Sequence, residues 1–265
     1  MGNKEFMLCE FVGEDELFSL DRNMWKAQLK IDGERIKAVV TDRVELINRR
    51  GKDKKNNYLE VAEELIKFPN CVLDGEMITF DDNFNKLQKR ALTQDIMKQK
   101  LLRTIIPVKY VIFDVLELNG EDLRGLKYSD RLNVLKSLNL NELGFVEEIK
   151  TFEIDECYKI AKENNKEGVV VKNINSVYEC KRSHYWKKYK FFKEETIKVT
   201  IYTTNPKGIT AEDDKGNRVA VLGEQSKEVK ILIDRNGYCN VNIQYLTQSD
   251  DTGKYRFISF RGIKH

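Results

Sequence analysis

The chain reads as an α+β protein: a mixed domain of antiparallel sheets with flanking helices over residues 1–192, followed by a small all-β barrel over residues 193–265. Three observations predict this. Val- and Ile-rich runs interleave with amphipathic helical stretches up to about residue 192. The remaining residues are short alternating runs separated by Pro206, Gly208, Gly216, Gly223, Gly237 and Gly253. A hydrophobic content of 41% in 265 residues, with 13 Phe and 11 Tyr, is enough for more than one core.

Taken in order, strands are predicted at 26–31, 35–40, 44–48, 71–79, 108–117 and 168–174. Helices are predicted at 58–67, where Leu59, Ala62, Leu65 and Ile66 share a face, at 84–102, at 129–137 after Ser129, and at 154–164. Past residue 192 the strands fall at 197–202, 218–222, 228–234, 239–246 and 254–260. Ile197, Val199 and Ile201 alternate with Lys198, Thr200 and Tyr202, the period of a half-buried strand. Five such strands fit a barrel of the oligonucleotide-binding (OB) kind, with a β-sandwich fragment as the competing reading.

With 46 basic and 43 acidic side chains the net charge is only +3, so attraction to a polyanion has to come from local clusters. Two exist: Arg49, Arg50, Lys52, Lys54 and Lys55, and a second running from Lys181 to Lys193 with aromatic residues interleaved. Cys9, Cys71, Cys157, Cys180 and Cys239 are odd in number and form no CxxC pair, which predicts reduced thiols and a cytoplasmic location. The charged start, MGNKEFMLCEF, has no apolar signal region, and no run is long enough to span a membrane. His184 and His265 have no companion ligands, so zinc is not expected.

The chemistry concentrates in short motifs. KIDGER places Lys30 before Asp32-Gly33 and Arg35. An amine attacks phosphorus only when unprotonated, so such a lysine needs partial burial or neighbouring cations. Glycine permits a tight turn, and arginine offers a fork for phosphate or ribose oxygens. NRRG, at 48–51, ends an apolar run in a turn that would expose Arg49. LDGEM places Glu76 after Asp74-Gly75, a pair that by itself reads as a hairpin turn; the carboxylate could hold ribose hydroxyls or a divalent ion. Phe113 lies in an alternating strand, as either core or a base-stacking surface. EGVVVK carries Glu167, and WKKYK sets Lys188 and Lys190 at period two, so both face one side of a strand where an anion would relieve their repulsion.

In order and spacing, KIDGER, NRRG, LDGEM, FDVL, EGVVVK and WKKYK resemble the motifs of covalent nucleotidyltransferases, specifically ATP-dependent DNA ligases. FNKLQKR at 84–90 and FDVLELNGEDLRGLKYSDR at 113–131 resemble the DNA ligase versions of those segments. The resemblance implies a nucleotidyltransferase (adenylation) domain followed by an OB-fold domain, in a minimal two-domain form. It implies that Lys30 becomes adenylated by ATP with Mg²⁺ (or Mn²⁺) and that the AMP passes to the 5′-phosphate of a nick, which is then sealed. Arg35, Glu76 and Glu167 would contact AMP, its ribose or the metal ion; Phe113 would stack on adenine; Lys188 and Lys190 would hold phosphates; Arg49 would bind the nick 5′-phosphate. Gln28 stands where many such ligases have a glutamate that reads adenine, and Lys264 stands where the last motif has an arginine, so Arg256, Arg261 or Lys264 is expected to close over ATP. The implied partner is nicked duplex DNA, clasped by a monomer. An RNA ligase or a GTP-using RNA capping enzyme would share the same lysine and paired cations, and a noncatalytic nucleic-acid-binding protein is the remaining alternative.

Overall fold

A computed structural model describes residues 6–140, 144–249 and 252–264; the first five residues and His265 lie outside the described residues. Along the chain run β1 (Leu8–Phe11), α1 (Glu14–Ser19), β2 (Trp25–Lys30), β3 (Glu34–Val40), β4 (Val44–Asn48), α2 (Leu59–Leu65), β5 (Cys71–Thr79), α3 (Phe84–Leu92) and α4 (Ile96–Ile105). They continue with β6 (Val108–Leu118), β7 (Glu121–Asp122), α5 (Tyr128–Ser137), β8 (Val146–Glu148), β9 (Thr151–Phe152), α6 (Ile154–Glu163), β10 (Gly168–Asn173) and β11 (Arg182–Lys190). Then come β12 (Lys193–Asn205), β13 (Gly208–Asp213), β14 (Arg218–Leu222), α7 (Gly223–Asn236), β15 (Cys239–Tyr245), β16 (Thr247–Gln248), β17 (Tyr255–Arg256) and β18 (Ser259–Ile263). The chain divides into two compact units, Met1–Tyr189 and Lys190–His265.

The first unit holds two sheets, ordered β1-β11-β10-β2-β9 and β4-β3-β5-β6-β7, with β8 added in parallel to β6. Alternate residues of β3 and β4, Ile36, Ala38, Val40, Val44 and Leu46, are buried, as period-two patterning requires. Two ion pairs buried on both sides fasten the helices, one to each other and one to the sheet. Arg90 of α3 reaches Glu60 of α2, and Arg131 of α5 holds Asp114 of β6 in a two-pronged pair at 2.7 and 2.9 Å.

Three expectations need correction here. Asp74-Gly75 is no turn: β5 continues through it with a shift of its register on β6, and glycine is needed because a Cβ at position 75 would lie 2.5 Å from the Val111 carbonyl oxygen. The long helix expected at 84–102 is two helices. The backbone leaves helical geometry at Thr93, and Asp95 starts the second helix by accepting a hydrogen bond from the Lys98 amide.

The third correction lies in the second unit, where 228–234 forms part of α7 rather than a strand. Val229, Ile231 and Ile233 fit period two on paper, yet the buried set is Ser226, Val229 and Ile233, spaced by three and four as on a helix face. Gly237, at φ 78°, ends the helix in the left-handed conformation that glycine adopts without strain. The strand that replaces the missing one is β13, in a segment between Pro206 and Gly216 where the turn residues predict no strand. The five strands pair antiparallel in the order β14-β13-β12-β15-β18 around Val199, Ala211, Val219, Val221, Val241 and Ile243, with α7 packed against them. This is an OB-fold barrel carrying one helix.

Candidate active site

Lys30 is the last residue of β2, and strand pairing decides what stands beside it. β10 runs antiparallel to β2 with Gly168 opposite Lys30, which brings the preceding Glu167 alongside. Lys30 Nζ donates to Glu167 Oε2 at 2.5 Å, and the Glu167 side chain is almost fully buried. Past Lys30 the chain turns through Asp32-Gly33 into β3, which pairs with β5 so that Arg35 lies opposite Glu76. Gly33 makes this possible: a Cβ there would sit 2.2 Å from the Met77 carbonyl oxygen and 2.8 Å from Glu76 Cγ. The turn therefore seats directly on β5 and carries Lys30 toward Glu76. Burial pushes the Glu76 carboxyl up to about 8; Lys30 and Arg35 pull it back, and Glu167 and Asp32 add to the rise.

Lys30, Gln28, Arg35, Arg49, Glu76, Phe113 and Lys188 all line one cavity of about 990 Å³ in the first unit. Gln28 projects from the same side of β2 as Lys30, and its Nε2 donates to Tyr128 Oη at 2.9 Å and Thr151 Oγ1 at 3.1 Å. Phe113 stands edge-on to Trp186, with ring centroids 6.1 Å apart. Asn48 shapes the NRRG turn by accepting from the amides of Arg50 and Lys52, both at 3.0 Å, and Arg49 is exposed at its corner. Glu167 reaches the site through Lys30. Lys190 does not line the cavity; it opens the second unit, its Nζ 4.2 Å from the Phe257 ring centroid.

Arg35 is more deeply engaged than its motif suggests. It grips Asp74 at 2.9 and 2.6 Å and donates to the Met7 carbonyl at 2.7 Å. Burial works against its charge, and Asp74 more than offsets this, holding the guanidinium above its usual range. Three residues outside the predicted set support these side chains, and one of them, Lys172, also lines the cavity. Lys172 is buried with its Nζ 4.1 Å from the Trp186 centroid, 4.3 Å from Phe113 and 4.7 Å from Tyr128. Burial pushes its amine down to about 7, against the pull of Asp114. The signal for it was a lysine ending the apolar run GVVV. Nothing in the sequence singled out Tyr128 or Thr151, which meet Gln28 only through tertiary packing.

Among the described residues no group of three or more His, Cys, Asp or Glu side chains is placed to hold a metal ion. Glu76, which lines the cavity with Lys30, and Glu167, bonded to Lys30, fit the lighter requirement of a Mg²⁺ bound by one or two carboxylates together with substrate phosphates.

The sequence profile of the ATP dependent DNA ligase domain matches residues 6–190. The chain belongs to the ATP-dependent DNA ligase family. Every residue lining the cavity of this ligase-family chain falls inside the matched segment. It is 31% identical to DNA ligase 1 of Methanosarcina mazei over 197 residues, covering 66% of this chain and 34% of that protein. It is also 31% identical to the SPbeta prophage-derived DNA ligase-like protein LigB of Bacillus subtilis over 180 residues, covering 66% of this chain and 64% of that one. The ligase-family chain thus spans about a third of the length of the first relative and just under two thirds of the second. Its fold is similar to that of a mycobacterial DNA ligase D complexed with ATP and MES, with a TM-score of 0.63 at 20% identity, covering 100% of this chain and 96% of that one. A Lig E DNA ligase structure gives a TM-score of 0.70 at 18% identity, covering 98% of each chain.

Proposed function

We propose that this chain is an ATP-dependent DNA ligase that seals nicks carrying a 5′-phosphate and a 3′-hydroxyl in duplex DNA, acting as a monomer. The observation that carries the reading is Lys30 held against Glu167 at 2.5 Å, at the wall of a cavity that also presents Glu76, Phe113 and Gln28, in a chain of the DNA ligase family. In the first step Lys30 gives up its proton and Nζ attacks the α-phosphorus of ATP; the N–P bond forms as the bond to pyrophosphate breaks. Phe113 offers a face for the base and Glu76 a partner for ribose hydroxyls, while Lys188 supplies positive charge to the phosphates. Mg²⁺, or Mn²⁺ in its place, when held by Glu76, Glu167 and the phosphate oxygens, would neutralise charge on the nonbridging oxygens.

In the second step the 5′-phosphate of the nick, gripped by Arg49, displaces Lys30 from phosphorus and the lysine regains its proton. In the third the 3′-hydroxyl attacks the activated phosphate and AMP leaves. Residues 1–192 act as the adenylation domain and 193–265 as an OB-fold domain binding the duplex backbone, so binding is largely sequence-independent.

Incubation with α-labelled ATP and Mg²⁺ tests the first step. Wild type is expected to carry an acid-stable label and Lys30→Ala none; equal labelling of the two removes Lys30 from the mechanism. Nicked duplexes with DNA or RNA on either side of the break, and a parallel arm with labelled GTP, separate DNA sealing from RNA ligation and capping.

A further inference from the structure

The NRRG turn that carries Arg49 is held from the side by a residue of the lysine motif, Glu34. Asn48 pairs with Ile36 across β3 and β4, and Glu34 lies two residues before Ile36 on the same face of β3. Arg35, the next residue, turns the other way and is paired with Glu76. Asn48 is buried; its Nδ2 donates to Glu34 Oε1 at 2.9 Å while its Oδ1 accepts from the Arg50 and Lys52 amides. That orientation of the amide is fixed: backbone amides only donate and a carboxylate only accepts, so a flip loses all three bonds. The second oxygen, Glu34 Oε2, accepts from Tyr58 Oη at 2.6 Å. Burial, with the Glu34 charge adding to it, holds that hydroxyl well above its usual range, protonated and donating. Tyr58 is fully buried at the start of α2, and Gly33, seated on β5, fixes the backbone from which Glu34 projects. One carboxylate therefore ties the turn bearing Arg49 to the strand that follows Lys30, and Lys30, Asn48 and Arg49 line the same cavity.

We infer that Glu34 is a positioning residue for the second step: through Asn48 it holds the NRRG turn where Arg49 presents the nick 5′-phosphate to adenylated Lys30. In that step an oxygen of the 5′-phosphate bonds to the phosphorus of AMP. The N–P bond breaks, its electron pair stays on Nζ, and the lysine takes up a proton. Attack needs the incoming oxygen close to phosphorus and in line with the leaving nitrogen, so a small displacement of the turn slows transfer sharply. Loading of Lys30 from ATP does not use Arg49 and is far less sensitive to it. The inference rests on the proposed sealing reaction, and it goes beyond it by assigning the alignment of the two substrates to a carboxylate that touches neither.

The test separates the two steps. Protein labelled from α-labelled ATP and Mg²⁺ is mixed with excess nicked duplex ending in a 3′-dideoxynucleotide, which blocks sealing, and movement of label from protein to DNA is timed. Glu34→Ala removes the link from one side. Asn48→Asp removes it from the other, keeping an acceptor for the Arg50 and Lys52 amides while setting a second carboxylate against Glu34. Both should slow transfer by about tenfold to a hundredfold and the initial labelling of Lys30 by no more than about threefold. Glu34→Gln keeps an acceptor for Asn48 Nδ2 and should return transfer to within about threefold of wild type. Urea midpoints report folding, and Asn48→Asp with Glu34→Gln decides the matter if Glu34→Ala does not fold. Transfer at the wild-type rate in the link-breaking variants, an equal loss of labelling and transfer, or no rescue by Glu34→Gln overturns the inference. Failure of the ligase reading shows differently: wild type takes no label from ATP, and this inference falls with it.

Discussion

At the scale of single residues, Glu76 carries the clearest consequence. Its carboxyl is raised from 4.5 to about 8, first by burial, so between those values the folded chain holds a proton that the unfolded chain has released. Stability contributed by this position is then present at low pH and lost as pH rises through about 8. The stability of wild type minus that of Glu76→Gln, from urea midpoints at matched pH, should fall steadily from pH 5 to 8. A difference flat across that window would mean the site already neutralises the carboxylate. Lys172 works in the opposite sense: its amine, pushed down to about 7, makes the folded chain gain stability as pH rises from there toward the ordinary lysine range. Glu76 is legible in the sequence but its backbone is not, since Asp-Gly usually marks a turn. Only the pairing of β5 with β6 shows that Gly75 is there to let the Val111 carbonyl come close.

Among the elements, what could be read in advance was whatever depends on neighbours in sequence. Strands β2 to β6 and helices α2, α5 and α6 carry their own periodicity, and the turn after β4 carries its own Asn and Gly. The second unit was harder because β-branched residues at 229, 231 and 233 satisfy two periods at once. Packing chose between them by burying Val229 and Ile233 while leaving Ile231 exposed. The ion pairs that fasten α3 to α2 and α5 to β6 were not legible, because their partners lie 30 and 17 residues apart. Arg131→Met tests the larger claim that α5 is fastened to β6 electrostatically. Both Arg131 and Asp114 have fully buried side chains, so the variant strands a carboxylate and should cost about 3–5 kcal/mol in urea unfolding. Burial already raises the Asp114 carboxyl, and removing its cation raises it further. The loss should therefore be greater at pH 8 than at pH 5, and a pH-independent loss would point to packing alone.

For the molecule as a whole, a net charge of +3 cannot by itself hold a polyanion, so the DNA binding proposed for this chain has to come from where the cations stand. The NRRG turn puts Arg49 at the rim of the same cavity that Lys30 lines, with Arg50 and Lys52 beside it. Each phosphate neutralised by such a side chain adds about 0.9 to the slope of log affinity against log salt. Nicked-duplex affinity measured between roughly 50 and 200 mM salt should fall steeply, and Arg49→Ala should lower that slope by about 0.9. The decisive comparison is between nicks ending in a 5′-phosphate and nicks ending in a 5′-hydroxyl. If Arg49 grips the terminal phosphate, the variant loses affinity for the first and little for the second. If both substrates weaken alike, Arg49 is one more contact to the continuous backbone, and the 5′-phosphate must be held by another cation of the cavity, with Lys188 the next to substitute.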